Sequence, residues 1–230
     1  MENGLVITVD GPAGSGKSTV SRILAERISY MYLDTGLLYR AVAYQTIQRG
    51  ISIIDDEALG KLCDGITIPL ERGGEMRVLI EGEDVSGNLR TEEIGMLASS
   101  VSAVPAVRDA LLPLQRRAGL QGRIVAEGRD MGTVVFPDAD FKFFLDATVD
   151  ERALRRYLQL TGNGKNADLG EVKRGLEVRD CQDTTREIAP LKPADDSIVI
   201  DTTGIDIGGV VERMVMMVGS HAQEAARGVP

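Results

Sequence analysis

The hydrophobic pattern alternates between short apolar runs and longer segments in which apolar residues recur every three or four positions. Residues 5–9 form a run that is apolar apart from Thr8, which is typical of a short buried strand. A helix is predicted to begin near Lys17, because four apolar residues recur there at helical spacing: Val20, Ile23, Leu24 and Ile28. This alternation continues along the chain and predicts an α/β fold built on a parallel sheet.

Four more short apolar runs predict strands, so the sheet is expected to have five. They lie at residues 31–33, 123–126, 141–145 and 197–201. Helices are expected to flank the sheet, at residues 37–49, 91–101, 105–120 and 149–160, then up to about residue 181 and finally to about residue 218. Residues 161–166 are polar and rich in glycine, which is typical of a hinge loop.

The segment from residue 66 to residue 90 departs from this alternation. Residues 66–70 and 76–80 have the composition of strands, and the glycine pair in residues 72–75 between them is typical of a turn. The sequence therefore predicts a small β insert that forms a satellite subdomain.

A glycine-rich loop joins the first predicted strand to the first predicted helix. Residues 11–18 match the phosphate-binding pattern G-x-x-x-x-G-K-[ST] at every defined position, in the strand–loop–helix context that the motif requires. Its backbone N–H groups and the helix N-terminus favour an anion, Lys17 is expected to reach the β- and γ-phosphates, and Ser18 is expected to bind Mg²⁺. The predicted ATP site is Gly11, Pro12, Ala13, Gly14, Ser15, Gly16, Lys17, Ser18 and Thr19.

Polar residues also follow other predicted strands directly. They include residues 34–36, residues 127–130 and Asp146. Ligands of parallel sheets bind outside the carboxyl ends of the strands, so these groups are expected to converge on one edge. Ordinary turn chemistry explains any one of them alone. Together, beside a phosphate loop, they favour a binding site.

Composition narrows the class of protein. The 230 residues are 43% hydrophobic and 27% charged, which is typical of a globular protein that forms one domain. The net charge of −9 argues against nucleic-acid binding, and no apolar run approaches the ~20 residues that span a membrane. The distant Cys63 and Cys181 match no metal or redox motif, and Glu2 near the N-terminus is unlike a signal peptide, so a cytoplasmic location is expected. Arginine supplies 20 of the 26 cations, and arginine suits bidentate phosphate recognition, although a compositional bias explains the excess equally well.

Three further motifs stand out beside the phosphate loop: Leu33-Asp-Thr-Gly-Leu-Leu-Tyr-Arg40, Glu81-Gly-Glu-Asp-Val-Ser-Gly87 and Gly128-Arg-Asp-Met-Gly-Thr-Val-Val-Phe-Pro137. Together the four motifs resemble those of bacterial cytidylate kinases, and the resemblance extends from residue 5 to about residue 201. It implies Mg²⁺-dependent transfer of the γ-phosphoryl group of ATP to CMP or dCMP, in pyrimidine nucleotide metabolism.

The resemblance also implies a P-loop nucleoside monophosphate kinase fold in one kinase domain, residues 1–230. A monophosphate-binding subdomain is expected over about 37–104, with the β insert near 66–90. A helical lid is expected over about 152–186, and the remainder forms the core. The expected partners are small nucleotides rather than nucleic acid or membrane, and a monomer is expected.

The resemblance assigns roles residue by residue. Phosphoryl transfer is implied for Lys17, Arg40, Arg129 and Arg186. The acceptor CMP is implied to contact Thr35, Tyr39, Arg40, Ser99, Arg108, Arg129, Asp130, Arg179, Asp183 and Arg186. Chemistry supports the cytosine contacts, because a carboxylate suits the exocyclic amino donor. Arginine and hydroxyl donors suit the base's acceptors.

Structural roles that involve no ligand also remain open for several of these residues. Ser99 and Arg108 are also compatible with a solvent-facing or capping role on a helix, and Arg179 with Asp183 matches an i, i+4 surface pair. A solvated helix face explains the arginines at residues 152, 155 and 156 nearly as well as lid function does.

Two other functions remain to be weighed. A GTPase-like switch would use a D-x-x-G motif, and residues 201–204 spell one. That motif follows the last predicted strand, and no Asn-Lys-x-Asp guanine motif is present. A kinase of another small metabolite would share the phosphate loop, but the β insert and the motif at residues 128–137 fit it poorly.

Overall fold

A computed structural model of the chain describes residues 4–69 and 76–227. Within this part of the chain there are eight strands: β1 Val6–Asp10, β2 Met31–Asp34, β3 Ile66–Thr67, β4 Leu79–Ile80, β5 Glu83–Asp84, β6 Ile124–Gly128, β7 Phe141–Asp146 and β8 Ile198–Asp201. The helices are α1 Lys17–Arg27, α2 Thr35–Arg49, α3 Asp56–Lys61, α4 Glu92–Val101, α5 Pro105–Gly119, α6 Val149–Gly162, α7 Leu169–Thr185 and α8 Ile207–Arg227.

Five parallel strands form the main sheet in the order β2-β6-β1-β7-β8. The central position of β1 is visible in its register, because Val9 is aligned with Glu127 on one side and with Phe143 on the other. The carboxyl ends of these strands therefore lie side by side. The predicted five-stranded parallel sheet is confirmed.

Helices cover both faces of this sheet. In β6, Ile124 and Ala126 belong to one apolar cluster, together with residues of α2 and α5. Val125 belongs to a second cluster, which includes residues of α1 and α8. Since neighbouring strand residues point to opposite faces, the sheet is buried between two helical layers.

The β insert is present but shorter than predicted. Strands β3, β4 and β5 form an antiparallel sheet in which each strand has only two residues. The prediction of strands over 66–70 and 76–80 is therefore wrong in length. Pro69 lacks a backbone N–H for further pairing, and Glu81 and Gly82 turn the chain with φ of 52° and 88°. Residue 70 and the predicted turn at 72–75 lie outside the described residues.

Three helices also differ from the prediction. Helix α3 was not predicted; it has six residues and is capped by Asp55, whose side chain accepts from the Ala58 N–H. Helix α6 extends through Gly162 into the predicted hinge loop. Helix α8 continues to Arg227 rather than ending near residue 218, in a segment with several alanines, which favour helix. Within the described residues, no helix has the length and hydropathy needed to cross a bilayer.

Candidate active site

The phosphate loop connects β1 to α1, and its glycines have backbone angles that other residues rarely adopt. Gly11, Gly14 and Gly16 have φ of 149°, 80° and 89°. A Cβ on Gly11 would lie 2.0 Å from the carbonyl oxygen of Leu145. The loop therefore needs glycine for close approach to the neighbouring strand as well as for its turn.

Lys17 lies at the start of α1 and is buried, with Nζ donating to the Pro12 carbonyl at 3.4 Å. Burial lowers its pKa, and the charge of Arg129 adds to this effect. The negative charge of Glu127, at the end of β6, opposes this lowering of the Lys17 pKa. Burial raises the pKa of Glu127 itself, and the neighbouring Asp34 adds to that shift. The lysine and the glutamate thus form a buried, electrostatically linked pair at the carboxyl edge of the sheet.

The residues at this edge fit a magnesium ion. Glu127 Oε1 accepts from the Tyr32 hydroxyl at 2.8 Å. Its buried Oε2 has no hydrogen-bond partner among the described residues. The side chain of Ser18 is exposed beside the loop. A hydroxyl and an unpaired carboxylate oxygen are hard ligands of the kind that Mg²⁺ prefers.

A cavity of about 1070 Å³ opens over the loop. Residues of the phosphate loop, α2, α4, α6 and α7 line it. Its cations include Lys17, Arg40, Arg90, Arg129, Arg155, Arg156, Lys165 and Arg179. Acidic side chains also line it, and three of them pair with arginines there: Asp34 with Arg90, Glu151 with Arg155 and Glu92 with Arg156. The remaining cations, which include Lys17, Arg40 and Arg179, favour a polyphosphate ligand.

Two cavity arginines are held at its rim by the α4 region. Arg40 Nη1 donates to the Leu89 carbonyl at 2.9 Å and to the Thr91 carbonyl at 3.2 Å. Burial lowers the pKa of Arg40. Arg156, on α6, forms an ion pair with Glu92 on α4, which connects the two sides of the cavity.

Arg179 differs from these because its Nε is buried without a hydrogen-bond partner among the described residues. Burial lowers its pKa to about 10, and the charge of Arg129 adds to the shift. It does not form the surface pair with Asp183 that the spacing allowed. Instead, Asp183 is buried and accepts from Ser99 Oγ at 3.0 Å and from Arg129 Nε at 2.7 Å.

A second buried network lies behind the cavity. Asp130 forms an ion pair with Arg108, and its other oxygen is 3.8 Å from Arg186 Nη2. Arg108 also stacks over the ring of Tyr39, with its guanidinium carbon 5.7 Å from the ring centroid. Both arginines donate to Ser102, one to the carbonyl and one to the hydroxyl. These contacts exclude the solvent-facing role that the helical position of Arg108 allowed.

The predicted residues therefore fall into two groups that adjoin each other. Residues 13–19 of the phosphate loop, Arg40, Arg129 and Arg179 line the cavity, whereas Gly11 and Pro12 do not. The remaining acceptor residues do not line it and are buried or half-buried beside it: Thr35, Tyr39, Ser99, Arg108, Asp130, Asp183 and Arg186. Arg129 joins the groups, since it lines the cavity and contacts Asp183. Thr35 Oγ1 donates to the Glu127 carbonyl at 2.7 Å, which fixes the start of α2 against the end of β6.

Sequence reasoning missed Asp10, which ends β1 one residue before the loop. Its buried carboxylate accepts from the N–H groups of Met131 at 2.9 Å and Gly132 at 2.8 Å. Burial raises its pKa to about 7 despite these bonds. Asp10 thereby fixes the turn that follows Asp130. Its place directly before the glycine motif was the available signal.

Thr202 and the arginines of α6 also have contacts that the sequence did not indicate. Thr202, after β8, donates through Oγ1 to the Ser15 carbonyl at 3.2 Å and accepts from Arg155 Nη1 at 2.9 Å. The motif at 201–204 therefore supports the phosphate loop. Arg152 is buried rather than solvated, while Arg155 and Arg156 line the cavity. Cys63 is buried, Cys181 is exposed, and both are free.

A parallel sheet with a phosphate loop after its central strand and an arginine-lined cavity at its carboxyl edge defines the class of P-loop kinases. Solved structures agree on the fold. A gluconokinase from Sinorhizobium meliloti superposes with a TM-score of 0.50 at 14% identity, over 99% of this chain and 98% of that protein. An uncharacterised protein from Eubacterium ventriosum superposes with a TM-score of 0.54 at 12% identity, over 94% of this chain and 98% of its own.

Sequence comparison is more specific. The family model for cytidylate kinase matches residues 7–220. A cytidylate kinase of Geobacter sp. strain M21 is 48% identical over 99% of this chain and 98% of its own length. That of Pasteurella multocida is 40% identical over 96% and 98%. The chain belongs to the cytidylate kinase family. The resemblance drawn from the four motifs is confirmed, and the alternatives of a GTPase-like switch and of a kinase for another metabolite lose their support.

Proposed function

We propose that the protein transfers the γ-phosphoryl group of ATP to CMP or dCMP in an Mg²⁺-dependent reaction that yields ADP and CDP or dCDP. The observation that supports this most directly is the continuity of the two groups of site residues. A cavity over the phosphate loop, lined by Lys17 and several arginines, adjoins a buried acid–arginine network suited to a nucleobase, and Arg129 contributes to both. A kinase needs such adjacent donor and acceptor sites.

On the donor side, the loop amides and Lys17 bind the β- and γ-phosphates. Ser18 and the Glu127 carboxylate would hold Mg²⁺, which would neutralise charge on the phosphates. The adenine end is expected beside Arg155 and the segment after β8, where Thr202 and Ile205 line the cavity. A bound triphosphate stabilises the charged form of Lys17, whose burial otherwise disfavours it.

On the acceptor side, Arg40, Arg129 and Arg186 hold the monophosphate in line with the donor, and Arg179 adds a further donor group. Asp130 accepts from the amino group of cytosine, while Arg108 and Ser99 donate to the acceptors of the base. Asp183 accepts from the ribose. Thr35 and Tyr39, in the first turns of α2, contact the acceptor nucleotide. No general base is needed, because the nucleophile is a phosphate oxygen that is already ionised.

Uracil is expected to be a poor substrate for a simple electrostatic reason. It places a carbonyl oxygen where cytosine has its amino group, and that oxygen would face the carboxylate of Asp130. An unpaired buried acceptor costs roughly 1–3 kcal/mol, so discrimination is expected to be substantial and finite.

The proposal also assigns roles to two subdomains, a cellular location and an oligomeric state. Residues 37–104 form the monophosphate-binding subdomain, residues 152–186 form a lid, and closure of the lid excludes water from the transfer site. The protein acts in the cytoplasm as a monomer, with nucleotides as its partners and no role for nucleic acid or membrane.

The test is a coupled assay for ADP release with CMP, dCMP, UMP and AMP at equal concentrations. We expect rapid turnover with CMP or dCMP and far slower turnover with UMP and AMP. Equal rates with AMP and CMP would overturn the cytosine assignment. Omission of Mg²⁺ should abolish turnover with every acceptor.

A further inference from the structure

The tip of the phosphate loop is packed against two helices from the far end of the chain. Ala13 belongs to a small apolar cluster with Ala153 of α6 and Leu176 of α7. A Cβ placed on Gly14 would lie 3.0 Å from the Cβ of Arg152. The loop conformation is therefore supported from outside its own strand–helix unit, by α6 and α7.

Arg152 connects this loop to α7 through Nε and Nη1. Its side chain is only 7% exposed. Nε donates to the Ala147 carbonyl at 3.0 Å, and Nη1 donates to the Ala13 carbonyl at 3.1 Å. The same Nη1 lies 2.6 Å from Asp180 Oδ2 on α7. A buried guanidinium that bridges a backbone carbonyl and a carboxylate fixes both in place.

Helix α7 contacts the acceptor network one turn further on. Asp183 is three residues after Asp180, and it binds Arg129 and Ser99. Residues three apart lie on the same face of a helix. One face of α7 thus holds the phosphate loop through Asp180 and the acceptor residues through Asp183.

We propose that Arg152 and Asp180 are positioning residues that couple acceptor binding to the shape of the phosphate loop. The proposal rests on the proposed function, because it takes CMP as the ligand that engages Asp183. When CMP binds, Asp183 fixes α7, Asp180 holds Arg152, and Arg152 holds the Ala13 carbonyl in the geometry that receives the triphosphate. ATP and CMP therefore bind cooperatively.

A purely structural role makes a different prediction, and the chain offers a matched control. Lys173 of α7 forms a second ion pair with α6, 2.6 Å from Asp150. This pair is exposed, and the hydrogen bond that it forms in the described part of the chain does not involve the phosphate loop. Asp150→Asn neutralises an ion pair between the same two helices without touching Arg152.

The experiment measures the dissociation constant of a non-hydrolysable ATP analogue by calorimetry, with and without saturating CMP. Wild-type protein, Asp180→Asn, Arg152→Lys and Asp150→Asn are compared, and the thermal midpoint of each is recorded without ligand. In the wild type and in Asp150→Asn, we expect CMP to tighten analogue binding about fivefold or more, the usual scale of coupling between sites. In Asp180→Asn and Arg152→Lys, we expect the ratio to fall toward one.

Wild-type binding that is unaffected by CMP would overturn the proposal, as would an unchanged ratio in both Asp180→Asn and Arg152→Lys. Equal loss of the ratio in Asp150→Asn would show general loosening of α6 and α7, which also contradicts it. If Arg152→Lys does not fold, Asp180→Asn alone decides, since it keeps the size of the side chain. Failure of the proposed function is distinguishable, because wild-type protein would then neither bind CMP nor release ADP in its presence.

Discussion

Replacing Asp130 by Asn should relax the preference for CMP over UMP. The carboxylate is 3% exposed and lies between Arg108 and Arg186. Water therefore cannot replace its contact with the base. Asparagine has the same size and can turn its amide nitrogen toward the carbonyl of uracil, which the carboxylate repels.

The size of the change follows from the burial of this side chain. A hydrogen bond to a charged group contributes about 1.5–3 kcal/mol, so kcat/KM for CMP should fall roughly tenfold to hundredfold. The kcat/KM for UMP should fall less than that for CMP, or rise, because the uracil carbonyl can accept from the asparagine amide. Loss of the negative charge beside two arginines also lowers stability, and breaking a buried pair costs about 3–5 kcal/mol when no partner remains. Asparagine still accepts one hydrogen bond, so Asp130→Asn should be milder than Asp130→Ala.

The assay is the ratio of kcat/KM for CMP to that for UMP, measured well below the thermal midpoint of the variant. Partial unfolding lowers both values equally and leaves the ratio unchanged. Asp109→Asn is the control, since Asp109 is an exposed acid on the same helix as Arg108. A ratio in Asp130→Asn that matches wild type would refute the reasoning that the buried carboxylate reads the amino group.

Four further outcomes are expected. Lys17→Met should slow transfer roughly hundredfold or more with little change in thermal midpoint; a near-normal rate would contradict the role of Lys17. Because burial lowers the pKa of Lys17 and a bound triphosphate raises it again, ATP binding should take up protons and weaken as pH rises above the free-state pKa. Calorimetry at pH 8 in two buffers of different ionisation enthalpy measures this, and zero uptake would count against it. Gly11→Ala, whose Cβ meets the Leu145 carbonyl, should cost about 3 kcal/mol or more in urea unfolding. Gly219→Ala, a helical position with open space, should instead gain up to about 1 kcal/mol.

The main sheet was predictable because each of its strands is a short apolar run bounded by turn residues. The β insert was harder, since strands of two residues leave almost no periodic pattern. The end of α8 was missed because its last residues contribute helix propensity but little apolar periodicity. Local hydrophobic patterns thus predict long elements. They do not predict very short strands, which depend on pairing, or helix ends that depend on propensity alone.

The site shows a similar division. The phosphate loop was predictable because its chemistry lies in consecutive residues. The contacts of Asp130 with Arg108 and of Asp183 with Ser99 join residues 22 and 84 positions apart, so they were reached only through family resemblance. Arg152 was indicated only as one of three candidate lid arginines, with a solvated helix face as the alternative. A buried arginine and a solvated one look identical in a helical pattern, and only packing distinguishes them.

The support of the phosphate loop by Thr202 has a consequence for synthesis of the chain. Thr202 and Ser15 are 187 residues apart, and both neighbours of β1 in the sheet come from beyond residue 120. Folding must therefore close very long loops before the nucleotide-binding geometry exists, which is slow compared with forming local contacts. A nascent chain still attached to the ribosome exposes the complete glycine motif early. It acquires a triphosphate-binding site only after almost the whole polypeptide has emerged.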